Sequence, residues 1–265
     1  MRLIDSHCHL NADQFDADVD LVLDAARSAG VERILVPGWD VASSQRALAL
    51  VDRVPWLDAA VGVHPHDAAK VDDAGWGWIV DWANRDEVVA IGESGLDYDR
   101  VFSPIPDQLT NLRRNLRLAV DTGKPAILHC RSAIGRRDAQ DALLMEVRAI
   151  GVAVPVVIHS FSGPVDYADA MLELGAVISF SGLVFRSGEE ASAAVAKRAP
   201  RGRVLVETDS PFLAPPGAAR SRNAPEWVRI TAAWLADRQG TTDEDLGGTL
   251  VENYDRTFQS RRRTD

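Results

Sequence analysis

The chain has 265 residues, 39 acidic and 29 basic, and a formal net charge of −10. With 46% hydrophobic and 26% charged residues, it has the composition of a folded globular protein, which excludes disordered and collagenous chains. The acidic balance excludes a protein that coats nucleic acid through clustered basic charge, and two cysteines cannot form a disulfide framework.

No apolar run approaches the roughly 18 residues of a membrane span. The start, Met1 to His7, carries charge where a signal peptide has its apolar core. The expectation is a cytoplasmic protein with one domain over residues 1–265, of which 258–265 form a frayed tail. Only three of the basic residues are lysines (Lys70, Lys124 and Lys197), a compositional bias on which nothing else rests.

Short apolar, β-branched runs punctuate the chain at regular intervals. The first covers residues 2–5, followed by a helical periodicity over 18–30 that stops at a glycine. Further strands are predicted at 33–37, 57–63 and 88–92. A helix at 108–123 leads to a strand at 125–129, and a helix at 137–151 to a strand at 154–159. A helix at 166–175 precedes strands at 176–180 and 203–207. Strands apolar throughout belong in a parallel sheet covered on both faces. Eight strand–helix units predict an α/β fold, a closed (β/α)8 TIM barrel. An open doubly wound sheet is the alternative, and the lack of a glycine-rich nucleotide fingerprint after the first strand counts against it.

All six histidines (His7, His9, His64, His66, His129 and His159) fall at or just past the end of a predicted strand. That end of a barrel is its catalytic face. Asp5, Glu93, Glu207 and Asp209 join them there. His7 and His9 are two apart, so on a strand both imidazoles face one metal. Cys8 then faces away, as Cys130 does beside His129. Both read as small buried hydrophobes rather than nucleophiles. Imidazole with carboxylate suits Zn, Mn, Fe or other divalent ions, and carboxylate-rich sites also suit Mg. The candidate ligands exceed four, which makes two ions plausible. Glu93, with two oxygens, is the candidate bridge.

Six runs taken together carry a resemblance. They are Asp5-Ser6-His7-Cys8-His9-Leu10, Gly62-Val63-His64-Pro65-His66, Gly92-Glu93-Ser94-Gly95-Leu96-Asp97-Tyr98, His129-Cys130-Arg131, His159-Ser160-Phe161-Ser162-Gly163 and Glu207-Thr208-Asp209-Ser210-Pro211. The chain resembles the TatD family of metal-dependent deoxyribonucleases, within the amidohydrolase-like hydrolases, from Asp5 to about Phe258. The resemblance implies one or two divalent ions (Mg, Mn or Zn). One ion would take His7, His9, Glu93 and Asp209, and the other Glu93, His129 and His159. It implies catalytic roles for Asp209, Glu93 and His64, with Asp209 as general base. His64 would meet the scissile phosphate or the attacking water, and His66 has a weaker claim. Glu207 would stand behind the ligands or serve as a structural acid. Some relatives in the superfamily carry a carbamylated lysine at the end of the fourth strand. Glu93 holds that place here.

The family commonly reads Arg-Asn-Glu-Pro after the eighth strand, where this chain has Arg222-Asn223-Ala224-Pro225. Arg131, Arg220, Arg222 and Asn223 are the candidate substrate contacts. Each arginine reads equally well as a solvated loop charge. Tyr98, Phe102, Phe161 and Phe212 read first as loop packing and second as stacking surfaces for bases. The expected activity is hydrolysis of DNA phosphodiesters, exonucleolytic at single-stranded ends. DNA would be held with modest affinity through few phosphates, with no membrane and no obligate protein partner. The alternative is hydrolysis of a small amide, a lactone or an aminoacyl-tRNA ester on the same barrel.

Overall fold

The computed structural model describes residues 1–151, 153–218 and 222–259. Eight parallel strands lie in sequential order in one sheet. They are β1 (Leu3–Asp5), β2 (Val31–Pro37), β3 (Leu57–Val61), β4 (Val88–Asp97), β5 (Ala126–Arg131), β6 (Val156–Ile158), β7 (Val177–Phe180) and β8 (Val204–Val206). The sheet meets itself where Ser6 donates its backbone N–H and its hydroxyl to the Val206 carbonyl, at 3.1 and 3.0 Å. The result is the expected (β/α)8 barrel. Its strands are buried almost residue for residue, which is why they read as continuous apolar runs rather than alternating ones.

Helices α1 (Val19–Ser28), α2 (Val41–Arg53), α3 (Asp73–Ala83), α4 (Ile105–Thr122), α5 (Asp138–Ile150), α6 (Val165–Glu173) and α7 (Glu190–Arg198) follow the first seven strands. Each lays one apolar stripe on the barrel, such as Val22, Leu23 and Ala26 of α1 and Leu112, Leu116 and Ala119 of α4. Glycines 123 and 151 end α4 and α5 in the left-handed conformation. Among the described residues no helix is long and apolar enough to cross a membrane.

The structure departs from the sequence expectation after β8 and along β4. After β8 come two helices, α8 (Val228–Gln239) and α9 (Asp243–Phe258). The hydroxyl of Tyr254, buried on α9, donates to Asp58 of β3 at 2.9 Å, and Arg33 of β2 stands 3.5 Å from the same carboxylate. Phe258, placed at the start of the frayed tail, instead closes α9 and is only 2% exposed. Residues 260–265 of that tail lie outside the described residues. The other departure is β4, which runs five residues beyond the expected Gly92, through the motif itself.

Candidate metal centre

The longer β4 places the centre of the site. Gly95 sits at φ +136°, and a Cβ there would lie 2.0 Å from the His129 carbonyl oxygen. Only glycine lets β4 approach β5 this closely. The approach brings Glu93 of β4 against His129 of β5. Gly95→Ala is expected to cost at least about 2 kcal/mol, through a forbidden φ and a backbone clash. A thermal unfolding midpoint no lower than wild type would contradict this.

His7 and His9 are not on a strand, since β1 ends at Asp5. The segment is still held extended between its neighbours. Cys8 N–H donates to Leu35 O at 3.0 Å, His9 N–H to Ser210 O at 2.8 Å, and Asp209 N–H to His7 O at 2.9 Å. Cys8 turns away from the ligands to Ser210, with Sγ and Oγ 2.9 Å apart. Buried Asp5 accepts the Thr208 N–H at 2.9 Å and its hydroxyl at 2.6 Å, tying the first ligand segment to the one after β8. Burial pushes the Asp5 carboxyl up to about 8. Burial likewise pushes the Cys130 thiol up to about 12, so it carries no thiolate at neutral pH.

Glu93 lies at the hub, and its two oxygens face different groups. Oε2 is 3.3 Å from His7 Nε2 and 3.7 Å from His9 Nε2. Oε1 is 2.8 Å from His159 Nε2, 3.2 Å from His129 Nδ1 and 3.2 Å from His64 Nε2. Asp209 Oδ1 completes the first group, 3.3 Å from His9 Nε2 and 3.8 Å from His7 Nε2. Asp209 itself is at φ +53°, a left-handed conformation that a short polar side chain tolerates.

This donor set fits a divalent cation. Ring nitrogens face one another at 3.2 Å between His7 and His9, and at 3.4 Å between His129 and His159. Three triads have one ligand atom per residue within 4.8 Å of one another: His7, His159 and Asp209; His7, His9 and Glu93; and His64, Glu93 and His129. Among the described residues no lysine or arginine pairs with Glu93 or Asp209. Burial pushes the Glu93 carboxyl up, but His159, His64 and His7 outweigh it and hold it well below the usual range. Burial likewise opposes the Asp209 charge, and the hydrogen bond from His9 and the surrounding imidazoles overcome it. Burial lowers the pKa of His7, which favours the neutral ring that a metal requires.

Two carboxylates stand behind the ligands. Glu207 Oε1 accepts from His159 Nδ1 at 3.1 Å and orients its Nε2 toward Glu93. Asp97 Oδ2 accepts a hydrogen bond from His66 Nε2 at 2.8 Å and lies 3.4 Å from His129 Nε2. Burial raises the Asp97 pKa, and hydrogen bonds from His129 and His66 reverse this, holding it well below normal. Asp97 was missed in the sequence. Its signal was its place four residues after Glu93, on the same side of a strand that continues.

The expected substrate contacts divide. His66 lies in a single 3-10 turn, Pro65–Asp67, beside His64. Arg131 ends β5 and donates to Asp99 at 2.7 Å. Arg222 is occupied elsewhere: it forms a two-pronged pair with Asp18 at 2.8 and 2.7 Å and donates to Gln14 O. Buried Asn223 donates to the Thr208 and Phe212 carbonyls and so braces the loop after β8. Arg220 lies outside the described residues.

A barrel whose C-terminal mouth gathers buried imidazoles around a shared carboxylate is the architecture of metal-dependent hydrolases. The family model described as "TatD related DNase" matches residues 4–259. The chain belongs to this TatD-related DNase family and is a metal-dependent hydrolase. It is 34% identical to the uncharacterized metal-dependent hydrolase YabD of Bacillus subtilis, over 97% of this chain and 99% of that one. It is 35% identical to the 3′-5′ ssDNA/RNA exonuclease TatD of Dickeya dadantii, over 98% and 99%. The crystal structure of the TatD homologue YjjV from Escherichia coli superposes with a TM-score of 0.88 at 30% identity, covering 98% of this chain and 99% of that one.

Proposed function

We propose that the chain holds two divalent ions bridged by Glu93 and hydrolyses single-stranded DNA from its 3′ end. The observation that carries this is the division of the Glu93 carboxylate, with Oε2 toward His7 and His9 and Oε1 toward His129 and His159. His7, His9, Glu93 and Asp209 would hold one ion, and Glu93, His129 and His159 the other. Bound there, Mg, Mn or Zn supplies Lewis acidity and lowers the pKa of water to about 7.

The protein's own groups then have distinct tasks. Asp209, ionised beside His9, accepts the proton of the attacking water. His64, though it stands in one of the three candidate triads, is assigned here as a donor to the substrate. Its Nδ1 accepts the His66 backbone N–H at 3.1 Å, and burial pushes its pKa down to about 4. A neutral ring with Nδ1 so engaged carries its proton on Nε2, which lies 3.2 Å from Glu93 Oε1 and would turn to charge growing on the phosphate once Glu93 holds the metal. His66, beside His64, and Arg131, at the end of β5, would be the further groups in reach of the phosphate. The 3′-to-5′ direction is taken from the names of the exonuclease relatives, which also weigh against an amide, lactone or aminoacyl ester. Among the described residues the arginines expected at the mouth, Arg131 and Arg222, are paired with carboxylates, so DNA affinity is modest and salt-sensitive. We place the protein in the cytoplasm, where its two free cysteines stay reduced.

A 5′-labelled single strand incubated with metal-loaded protein tests the reading. A ladder shortening from the 3′ end is expected, and an uncut strand would overturn it. The ligand cluster also predicts linkage between metal and stability. Adding metal at about 100 times its Kd to the stripped chain is expected to add about 2.7 kcal/mol. That is a rise of about 5 °C or more in the unfolding midpoint. An unmoved midpoint at saturating Mg, Mn and Zn would contradict a metal site in this cluster.

A further inference from the structure

Two phenylalanines stand exposed at the metal centre. Phe102 is 66% exposed and Phe212 is 53% exposed. Each sets its ring edge-on to a histidine of the cluster, Phe102 to His66 at 4.7 Å and Phe212 to His9 at 6.0 Å. His9 belongs to the group around Glu93 Oε2, whereas His66 adjoins His64 on the Oε1 side. The two rings therefore neighbour different histidine groups of the site, one on each side of the Glu93 carboxylate. The sequence expectation of loop packing fits Phe161, which is buried, whereas these two are largely exposed.

The backbone presents both rings at a cost. Val101, just before Phe102, is at φ +48°, and Leu213, just after Phe212, is at φ +50°. A left-handed conformation is a genuine outlier for a β-branched residue, and such strain clusters at ligand clamps. Scattered exposed side chains such as Leu21 of α1 and Met145 of α5 need no explanation. Two exposed rings, each beside a strained residue and each touching the site, do. The charge nearby is complementary to nucleic acid. Arg100, two residues before Phe102, has no side-chain partner among the described residues, although many arginines here are paired.

We propose that Phe102 and Phe212 are stacking platforms for two unpaired bases, one on each side of the phosphodiester at the metal centre. This rests on the phosphodiesterase reading above. Base stacking on an aromatic ring is indifferent to sequence but requires a base that has left its duplex partner. The two platforms thus make the site selective for single strands and tolerant of base identity. They also supply affinity that the acidic surface does not.

The test crosses protein variants with substrates that lack bases. Cleavage of a single-stranded oligonucleotide is compared with that of the same strand carrying an abasic nucleotide at the last or the next-to-last position. Wild type is expected to lose about ten-fold in kcat/KM for each abasic substitution, chiefly through KM. Phe102→Ala and Phe212→Ala are each expected to lose about as much on the intact strand. Each should then be insensitive to the abasic nucleotide in its own subsite and still sensitive to the other. Phe→Tyr at either position should restore the wild-type pattern. Alanine variants that match wild type on every strand would overturn the stacking role and leave the phosphodiesterase reading intact. Alanine variants that lose equally on intact and abasic strands would assign the rings to loop packing instead. Wild type that cuts neither strand would overturn both.

Discussion

Glu93→Gln is expected to lower turnover at least about 1,000-fold and to weaken metal binding at least about 100-fold. The side chains are nearly isosteric, so the barrel should fold. The chemistry at the hub changes. Glutamine keeps one acceptor oxygen and replaces the other with an amide that only donates. Glu93 Oε2 faces His7 and His9, and Oε1 faces His129, His159 and His64. An amide nitrogen on either side would point its protons where a cation belongs. At most one metal group survives, and the retained ion count per chain should fall from two to one or none. Metal analysis of the purified variant reads this directly. Wild-type turnover with wild-type metal content would exclude Glu93 as the bridge.

Asp209→Asn is expected to act on the other half of the machinery. Its amide oxygen can still accept from His9, so the segment after β8 should keep its place. What would be lost is the proposed base. We expect kcat to fall about 100- to 10,000-fold with little change in KM, the range for a positioned proton acceptor. Much of the metal should remain at saturating concentration, because His7, His9 and Glu93 still converge. The two variants therefore separate cleanly: Glu93→Gln loses ions, and Asp209→Asn loses turnover while holding them. A kcat within three-fold of wild type for Asp209→Asn would move the proton to another group.

Particular residues show how far the sequence could be read. Most of the barrel strands are buried on both faces, so runs such as Leu57–Val61 and Val177–Phe180 announce themselves by composition alone. The strand ends carry the histidines, and the convergence of His7, His9, His129 and His159 on Glu93 follows from closing the sheet. Asp97 was not legible because Gly92 and Gly95 look like a turn. Here their missing side chains allow close backbone approach, and β4 continues. Glu207 admitted two readings, and its hydrogen bond to His159 Nδ1 places it behind a candidate ligand. Arg222 and Asn223 lie beside the motif in sequence, yet their partners are set by tertiary packing. Arg222 pairs with Asp18, 204 residues away. No local pattern reports a contact of that kind.

If this imidazole and carboxylate cluster drives phosphodiester cleavage through the metal it holds, activity must follow the bound ions. The direct measurement is single-stranded DNA cleavage by EDTA-stripped protein, titrated with Mg, Mn or Zn against ions bound per chain. The stripped chain should not cleave, and cleavage should reach its maximum at two ions per chain. Undiminished cleavage without metal, or a fully loaded chain that leaves DNA intact, would contradict it.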